Sequence, residues 1–124
     1  MRKDITITRN NIPDKKDDKD KAAWYFYVNL CKEEEVKKEK GIKGNISAEF
    51  TEFAEKVNSK FNDVPKKMTW KNYLITEITE SYIDYTIDNT QSDEICDYIL
   101  QLAKEYGFVS FGPEEGVIHR PDEV

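Results

Sequence analysis

The sequence predicts an α+β fold in which one antiparallel sheet carries helices, and three observations support this prediction. Two stretches repeat apolar residues every three or four positions, as amphipathic helices do. Four other stretches are rich in β-branched and aromatic residues, as strands are. The 124 residues suit one domain, and a hydrophobic content of 38% with 12% aromatic residues is sufficient for a folded core.

The N-terminal region is expected to begin with a short edge strand. Ile5–Thr8 alternates isoleucine with threonine, and it is followed by turn-forming residues at positions 10–14. Residues 15–21 mix charges of both signs and contain no apolar residue. We expect this second segment to be a solvated loop.

Ala22–Cys31 is predicted to be a central strand, because both of its faces are rich in aromatic residues. One face would carry Trp24, Phe26, Val28 and Leu30, and the other Tyr25, Tyr27 and Asn29. The charged residues 32–40 follow, and Gly41 and Gly44 then interrupt the pattern. A helical turn, a hairpin arm and a loop remain open alternatives for residues 32–46.

Two segments carry the periodicity and end signals of helices. Ser47–Phe61 begins with a capping serine, and Ser92–Tyr106 begins with another and is followed by Gly107, a residue suited to a helix C-terminus. The predicted buried stripe of the first helix comprises Phe50, Phe53, Ala54, Val57 and Phe61. That of the second comprises Ile95, Ile99, Leu102, Ala103 and Tyr106.

Trp70–Asp88 is dominated by Ile, Thr and Tyr and is predicted to form a hairpin that turns at residues 79–81. The inward side chains would be Trp70, Leu74 and Ile78 on the first arm, and Ile83, Tyr85 and Ile87 on the second. The outer face of the second arm would carry Tyr82, Asp84, Thr86 and Asp88. A helical stripe through Leu74, Ile78, Tyr82 and Tyr85 is the alternative.

Phe108–Phe111 is predicted to be the last strand, so that residues 1–112 form one domain and residues 113–124 a tail. The resulting order is strand, strand, helix, strand, strand, helix, strand. Without the extra N-terminal edge strand, this is the split βαβ order of a ferredoxin-like sandwich, with two helices on one face of an antiparallel sheet. The other face would be open to a partner.

The net charge of −6 is distributed unevenly along the chain. Residues 1–71 carry a net charge of +4, whereas residues 72–124 carry −10 and contain only two basic residues, Lys104 and Arg120. Such a C-terminal half repels phosphate backbones and attracts cations, so direct nucleic-acid binding is disfavoured. The sequence has no apolar run long enough for a membrane span or a signal peptide, and we expect a cytoplasmic protein.

The sequence contains no recognisable catalytic or metal-binding motif. Cys31 and Cys96 lie in apolar patterns and are expected to be reduced, and they form no CxxC pair. The single histidine, His119, lies in the predicted tail. Asp84 and Asp88 would share a strand face at about 13 Å, too far apart for a carboxylate dyad. We therefore expect no enzyme activity, no cofactor and no metal site.

Acidic and aromatic residues together indicate a binding protein. Between residues 72 and 103 there is no lysine or arginine, whereas a typical soluble surface mixes both signs of charge. We expect a basic protein partner to dock there, since charge speeds encounter and aromatic residues anchor the contact. The predicted partner-binding residues are Tyr82, Asp84, Asp88, Asp93, Glu94 and Asp97.

Two other uses of the open sheet face remain as alternatives. Tyr25, Tyr27 and Tyr73 on that face would suit a small-molecule or nucleotide-binding module. The same face would also suit a homodimer, which would cover these tyrosines without a foreign partner.

The layout resembles that of small immunity proteins of bacterial polymorphic toxin systems. The resemblance lies in the short first strand, the aromatic segment Ala23–Val28, and the Asp93-Glu94-Ile95 helix that runs into Gly107–Phe111. It implies a non-enzymatic inhibitor that covers the cationic site of a toxin or nuclease. Small phage-encoded inhibitors of defence effectors are similar in size and charge.

Overall fold

The computed structural model of the chain describes residues 2–42, 44–61, 73–88, 92–113 and 115–121. Within these ranges it has an α+β fold with an antiparallel sheet. The elements are β1 (Arg2–Arg9), α1 (Lys21–Glu39), α2 (Ala48–Phe61), β2 (Tyr73–Ile78), β3 (Tyr82–Asp88), α3 (Ser92–Tyr106), β4 (Phe108–Gly112) and β5 (Val117–His119). No helix in these ranges is both long and apolar enough to cross a membrane.

The sheet has the strand order β2-β3-β1-β4-β5, and each neighbouring pair is antiparallel. The N-terminal strand is therefore central, and the prediction of an edge strand is wrong. Ile5 and Ile7 are buried on one face of β1, and Thr6 and Thr8 are 2% and 1% exposed on the other. The threonines suggested an exposed face and hence an edge strand. A threonine hydroxyl can nevertheless be buried on a sheet when it is hydrogen-bonded.

Helices α2 and α3 are confirmed, and they pack with Ile5 and Ile7 of β1 in the main core. The amide of Phe50 donates to the hydroxyl of Ser47 at 3.2 Å, so Ser47 caps α2 as expected. Gly107 has a φ of +74°, the left-handed conformation expected after α3. The predicted stripes are buried at Phe50, Phe53, Ala54, Val57, Ile95, Ile99, Leu102 and Ala103, with Phe61 and Tyr106 packed against the core.

The predicted hairpin is confirmed as β2 and β3, and the helical alternative is wrong. The turn contains neither glycine nor proline. Hydrogen bonds made by Thr79 stabilise it instead. The amide of Tyr82 donates to the Thr79 hydroxyl at 3.0 Å, and the amide of Thr79 donates to the carbonyl of Tyr82 at 2.8 Å. Ile83, Tyr85 and Ile87 are fully buried, as predicted. Trp70 and the side chain of Leu74 lie outside the described part.

Ala22–Cys31 is a helix, and the prediction of a strand is wrong. It belongs to α1, which continues through the charged residues to Glu39. The aromatic residues alternate, but Ala23, Tyr27 and Glu34 also follow helical spacing, and their side chains face the sheet. The following run of Glu and Lys has high helix propensity and prolongs the helix. This settles most of residues 32–46, which sequence left open.

Helix α1 covers the sheet face that was expected to be open. Its N-terminal half packs against Val109 and Phe111 of β4, where the Tyr27 ring stacks on Phe111 at 5.0 Å between ring centroids. Its C-terminal half reaches the β2–β3 turn, where the hydroxyl of Ser81 donates to the Glu34 carboxylate at 2.9 Å. The sheet therefore has α2 and α3 on one face and α1 on the other.

Residues 117–121 are tied to the fold, which corrects the expectation of a tail over 113–124. Val117–His119 forms β5 and pairs with β4. The guanidinium of Arg120 then binds the Asp20 carboxylate through two contacts, Nη1–Oδ2 at 2.5 Å and Nη2–Oδ1 at 3.1 Å. Sequence missed β5 because three residues are too few to show a periodicity.

Candidate acidic surface

Two of the six predicted partner-binding residues lie beneath α1. Tyr82 is 8% exposed, and burial raises the pKa of its hydroxyl. Asp84 accepts a hydrogen bond from the Thr6 hydroxyl at 3.1 Å, and the Tyr27 hydroxyl lies 3.4 Å from that of Thr6. Burial raises the pKa of the Asp84 carboxyl as well. Tyr82 is buried and Asp84 is only partly exposed, so α1 restricts the access of a partner to both groups.

Three other predicted residues lie together at the start of α3. Asp93, Glu94 and Asp97 are all exposed. The ammonium of Lys3 donates to Asp93 at 2.5 Å, and this contact lowers the pKa of the Asp93 carboxyl. The negative charges there also suit the positive end of the helix dipole.

The sheet separates these two groups, so the six residues do not form one surface. Ile83, Tyr85 and Ile87 point to the core shared with α3, whereas Tyr82 and Asp84 alternate to the α1 side. The backbone of Asp88 lies opposite Arg2 and Tyr73, and its side chain lies outside the described part. The six predicted partner-binding residues therefore do not form a single docking surface.

The hairpin acids are also compensated by lysines from the N-terminal half. The Lys37 ammonium lies 3.3 Å from the Glu80 carboxylate, and Lys38 forms an ion pair with Glu77. Basic and acidic residues that are far apart in the sequence therefore lie close together in the folded protein. Folding brings the cationic end of α1 onto the acidic hairpin.

A pocket of about 360 Å³ lies beside the start of α3, and two of the predicted residues, Asp93 and Asp97, line it. The ladder between β1 and β4 covers Thr6–Arg9, so the first half of β1 runs past the end of β4. The pocket lies at this step. Among the described residues, its charged lining comprises Asp93, Asp97, Glu115 and Lys3, and its apolar lining includes Ile5, Leu100 and Val117. Asp4 also borders the pocket, but by strand alternation its side chain points to the α1 side of the sheet, near Asp84.

Glu115 was missed by sequence reasoning, because it lies in the segment predicted to be a tail. It follows Gly112 in the connection between β4 and β5, and the amide of Glu115 donates to the carbonyl of Gly112 at 3.2 Å. A glycine before and after this connection, at 112 and 116, was the signal available for a turn between two strands.

The pocket is suited to holding a cationic side chain. Lysine and arginine place their methylene groups against apolar walls while the charged end meets carboxylates. Cys96 and His119 also line the pocket. Burial raises the pKa of the Cys96 thiol to about 11, so the sulfur stays protonated at neutral pH and is a poor nucleophile. Among the described residues, no group of three or more His, Cys, Asp or Glu side chains could hold a metal ion.

The tyrosines of the alternative site are not brought together. Tyr25 points outward from α1 and is 71% exposed, whereas Tyr27 packs against the sheet. The side chain of Tyr73 lies outside the described part. The open aromatic face proposed for a small molecule or a homodimer is covered by α1.

Comparison of the chain with protein-family models, with curated proteins and with solved structures finds no match.

Proposed function

We propose that this protein is a non-enzymatic, acidic binding protein of the cytoplasm that inhibits a basic partner protein. The partner would be a toxin, a nuclease or another nucleic-acid-handling defence effector. Inhibition would follow from covering the cationic site of the partner, the site that otherwise binds a phosphate backbone. The free thiols of Cys31 and Cys96 are consistent with a reducing compartment.

The observation that carries this proposal is the pocket at the start of α3. Among the described residues, the carboxylates of Asp93, Asp97 and Glu115 and one lysine, Lys3, line it together with apolar walls. This combination favours an arginine or lysine side chain over an anion. Asp93, Asp97 and Glu115 are the principal contacts in the proposal, with Glu94 nearby on the first turn of α3. Tyr82 and Asp84 lie on the other face of the sheet and have no part in this contact.

We propose further that the fold is an elaborated ferredoxin-like sandwich. The order β2-β3-β1-β4 and the placement of α2 and α3 on one face support a split βαβ core. Helix α1 and strand β5 would be additions to that core. The resemblance to immunity proteins of toxin systems is part of the same proposal, and it rests on size, layout and charge.

Inhibition of a panel of cationic nucleases tests the function. A triple variant, Asp93→Asn, Asp97→Asn and Glu115→Gln, removes three carboxylates from the pocket without changing the size of the side chains. Exposed charges of this kind each contribute about 0.5–1 kcal/mol, so we expect the inhibition constant to rise about 10- to 100-fold. Inhibition by the unmodified protein should weaken between 0.1 M and 1 M salt, as the Debye length falls from about 10 Å to about 3 Å.

The matched control is Glu49→Gln, Glu55→Gln and Glu105→Gln, which removes three charges from exposed positions on α2 and at the end of α3. It should inhibit like the unmodified protein. Equal loss in both triple variants would mean that net charge alone acts, and would refute the pocket as the contact. Failure to inhibit any cationic nuclease, together with equal binding of lysozyme as a basic non-nuclease protein, would refute the inhibitor function.

A further inference from the structure

The exposed apolar side chains are concentrated in one region. Among the described residues, every large hydrophobic side chain that is exposed lies between positions 25 and 46. These residues are Tyr25, Val28, Val36, Ile42 and Ile46, with exposures of 71%, 43%, 44%, 54% and 47%. The acidic pocket lies on the other side of the sheet, so this apolar region has no part in the proposed inhibition.

Three of these residues form a stripe on the outward face of α1. At 100° per residue, Tyr25, Val28, Lys32 and Val36 lie on one side of the helix, opposite Ala23, Tyr27 and Glu34, which face the sheet. We call this set the outer stripe. Its apolar members, from Tyr25 to Val36, span about three turns of helix, which is enough for contact with a second helix.

The end of α1 extends the outer stripe. Gly41 has a φ of +68°, its amide donates to the carbonyl of Lys38 at 3.1 Å, and the amide of Ile42 donates to the carbonyl of Lys37 at 2.8 Å. This is the hydrogen-bonding pattern of a Schellman motif, in which the residue after the glycine commonly packs on the last turn. In this motif the expected contact of Ile42 is with the last turn of α1, which contains Val36.

The charges beside the stripe indicate what covers it. The exposed charged residues of the outward side are Lys21, Lys32, Glu33, Glu35, Glu39 and Lys40, three of each sign. A neutral, apolar face does not suit the cationic partner proposed for the pocket. In a chain of net charge −6, it is instead a face on which a second copy can approach without charge repulsion.

An antiparallel arrangement of two α1 helices makes these charges complementary. If Tyr25 lies opposite Val36 of the second copy, Asn29 lies opposite Lys32, whose ammonium can then donate to the amide oxygen. The same register brings Lys21 beside Glu39 of the second copy, and both residues lie on the same edge of the outer stripe. Two-fold symmetry forms each contact twice, and the buried lysine fixes the register.

We propose that the outer stripe of α1 is the interface of a two-fold symmetric homodimer in which the two α1 helices are antiparallel. One pair of helices buries less surface than a standard interface, so the dimer is a weak one. It leaves the acidic pocket of each copy accessible, and it does not depend on the proposed function.

Sedimentation equilibrium of the full chain from 5 to 500 µM (chosen to span about micromolar dissociation constants) tests the dimer. The unmodified protein should pass from monomer to dimer within this range. Val36→Glu should weaken the association at least about tenfold, because it places a charge in the apolar contact. Gln101→Glu adds the same charge at an exposed position on α3 and should not weaken it.

The orientation is tested by exchanging charges. Lys21→Glu and Glu39→Lys should each weaken the dimer, and the double variant should restore it. Lys21 and Glu39 are 18 residues apart, about 27 Å along α1, so restoration cannot arise within one helix. All these positions are exposed, so each variant should fold, and circular dichroism at 5 µM checks this.

A monomer throughout the range would overturn the proposal and would leave the outer stripe to a different protein. A dimer that is unaffected by Val36→Glu would place the interface elsewhere. A dimer that is weakened by both single exchanges and not restored by the double variant would overturn the antiparallel arrangement.

Discussion

Asp84 is a carboxylate that the fold places in an unfavourable setting. It is half-buried beneath α1, and this burial is the largest cause of the raised pKa of its carboxyl. The nearby Asp4 and Glu77 carboxylates raise this pKa further, whereas the Thr6 hydroxyl and Lys38 lower it. The folded chain therefore holds the Asp84 proton more tightly than the unfolded chain does. At neutral pH the ionised carboxylate costs stability.

We expect Asp84→Asn to increase the free energy of unfolding at pH 7. Asparagine keeps an oxygen that accepts from Thr6, but it carries no charge that has to be desolvated. The gain should shrink as the pH falls through the raised pKa, because the carboxyl of the unmodified protein is then neutral in the folded state. The gain in stability should vanish near pH 3.8, the ordinary pKa of an aspartate carboxyl.

Urea denaturation at pH 7, 5 and 4 measures this effect. Asp18→Asn in the exposed loop before α1 changes the net charge equally and serves as the control. A lower stability of Asp84→Asn at pH 7 would show that the carboxylate stabilises the fold, contrary to this account.

At the scale of secondary-structure elements, strong local signals made α2, α3 and the hairpin predictable. Ser47 and Gly107 mark helix ends, and the apolar stripes of both helices are regular. Helix α1 was not predictable in the same way, because its aromatic residues satisfy a period of two and a period of 3.6 together. The hydrophobic pattern alone cannot decide between them, and packing of Tyr27 on Phe111 does.

Helix α1 is fixed at its beginning by a residue from the other end of the chain. Asp20 precedes the helix, has a φ of +53°, and is bound by the Arg120 guanidinium. The Asp20 and Arg120 side chains are only 10% and 11% exposed, and Arg120 also donates to the carbonyl of Pro13 at 2.9 Å. The segment after β5 therefore secures the loop before α1.

Arg120→Ala should destabilise the protein by about 3–5 kcal/mol, because it leaves the Asp20 carboxylate buried without its guanidinium. The loss of stability in Arg120→Lys should be smaller than in Arg120→Ala but still measurable, since an ammonium cannot make the same bidentate contact. Thermal and urea denaturation measure the loss. Lys104→Ala, at an exposed position on α3, should stay within about 0.5 kcal/mol of the unmodified protein. An equally small effect of Arg120→Ala would contradict the role of this ion pair.

At the scale of the whole molecule, the distribution of charge decides the proposed function. The asymmetry along the chain is real, but Lys3, Lys37 and Lys38 come from its basic half and pair with Asp93, Glu80 and Glu77. The charge difference between the two halves of the sequence therefore overstates the net negative charge of the surface, because tertiary contacts pair charges that are distant in sequence.

The candidate site was partly predictable from the sequence. Asp93, Glu94 and Asp97 are exposed on the first turns of a helix that the sequence predicts well. Tyr82 and Asp84 were misjudged because the covering helix was taken for a strand. Glu115 was missed because β5 is short. The pocket itself depends on where β4 ends relative to β1, which is a matter of strand register that local patterns do not specify.

The most direct test of the central claim is an NMR titration of the labelled full chain with a capped tetra-arginine peptide. If the pocket beside α3 receives cationic side chains, the amide signals of Asp93, Asp97 and Glu115 should shift together and saturate, and 1 M salt should abolish the shifts. Shifts confined to the hairpin acids Glu77 and Glu80, or small shifts spread evenly over all acidic residues, would contradict it.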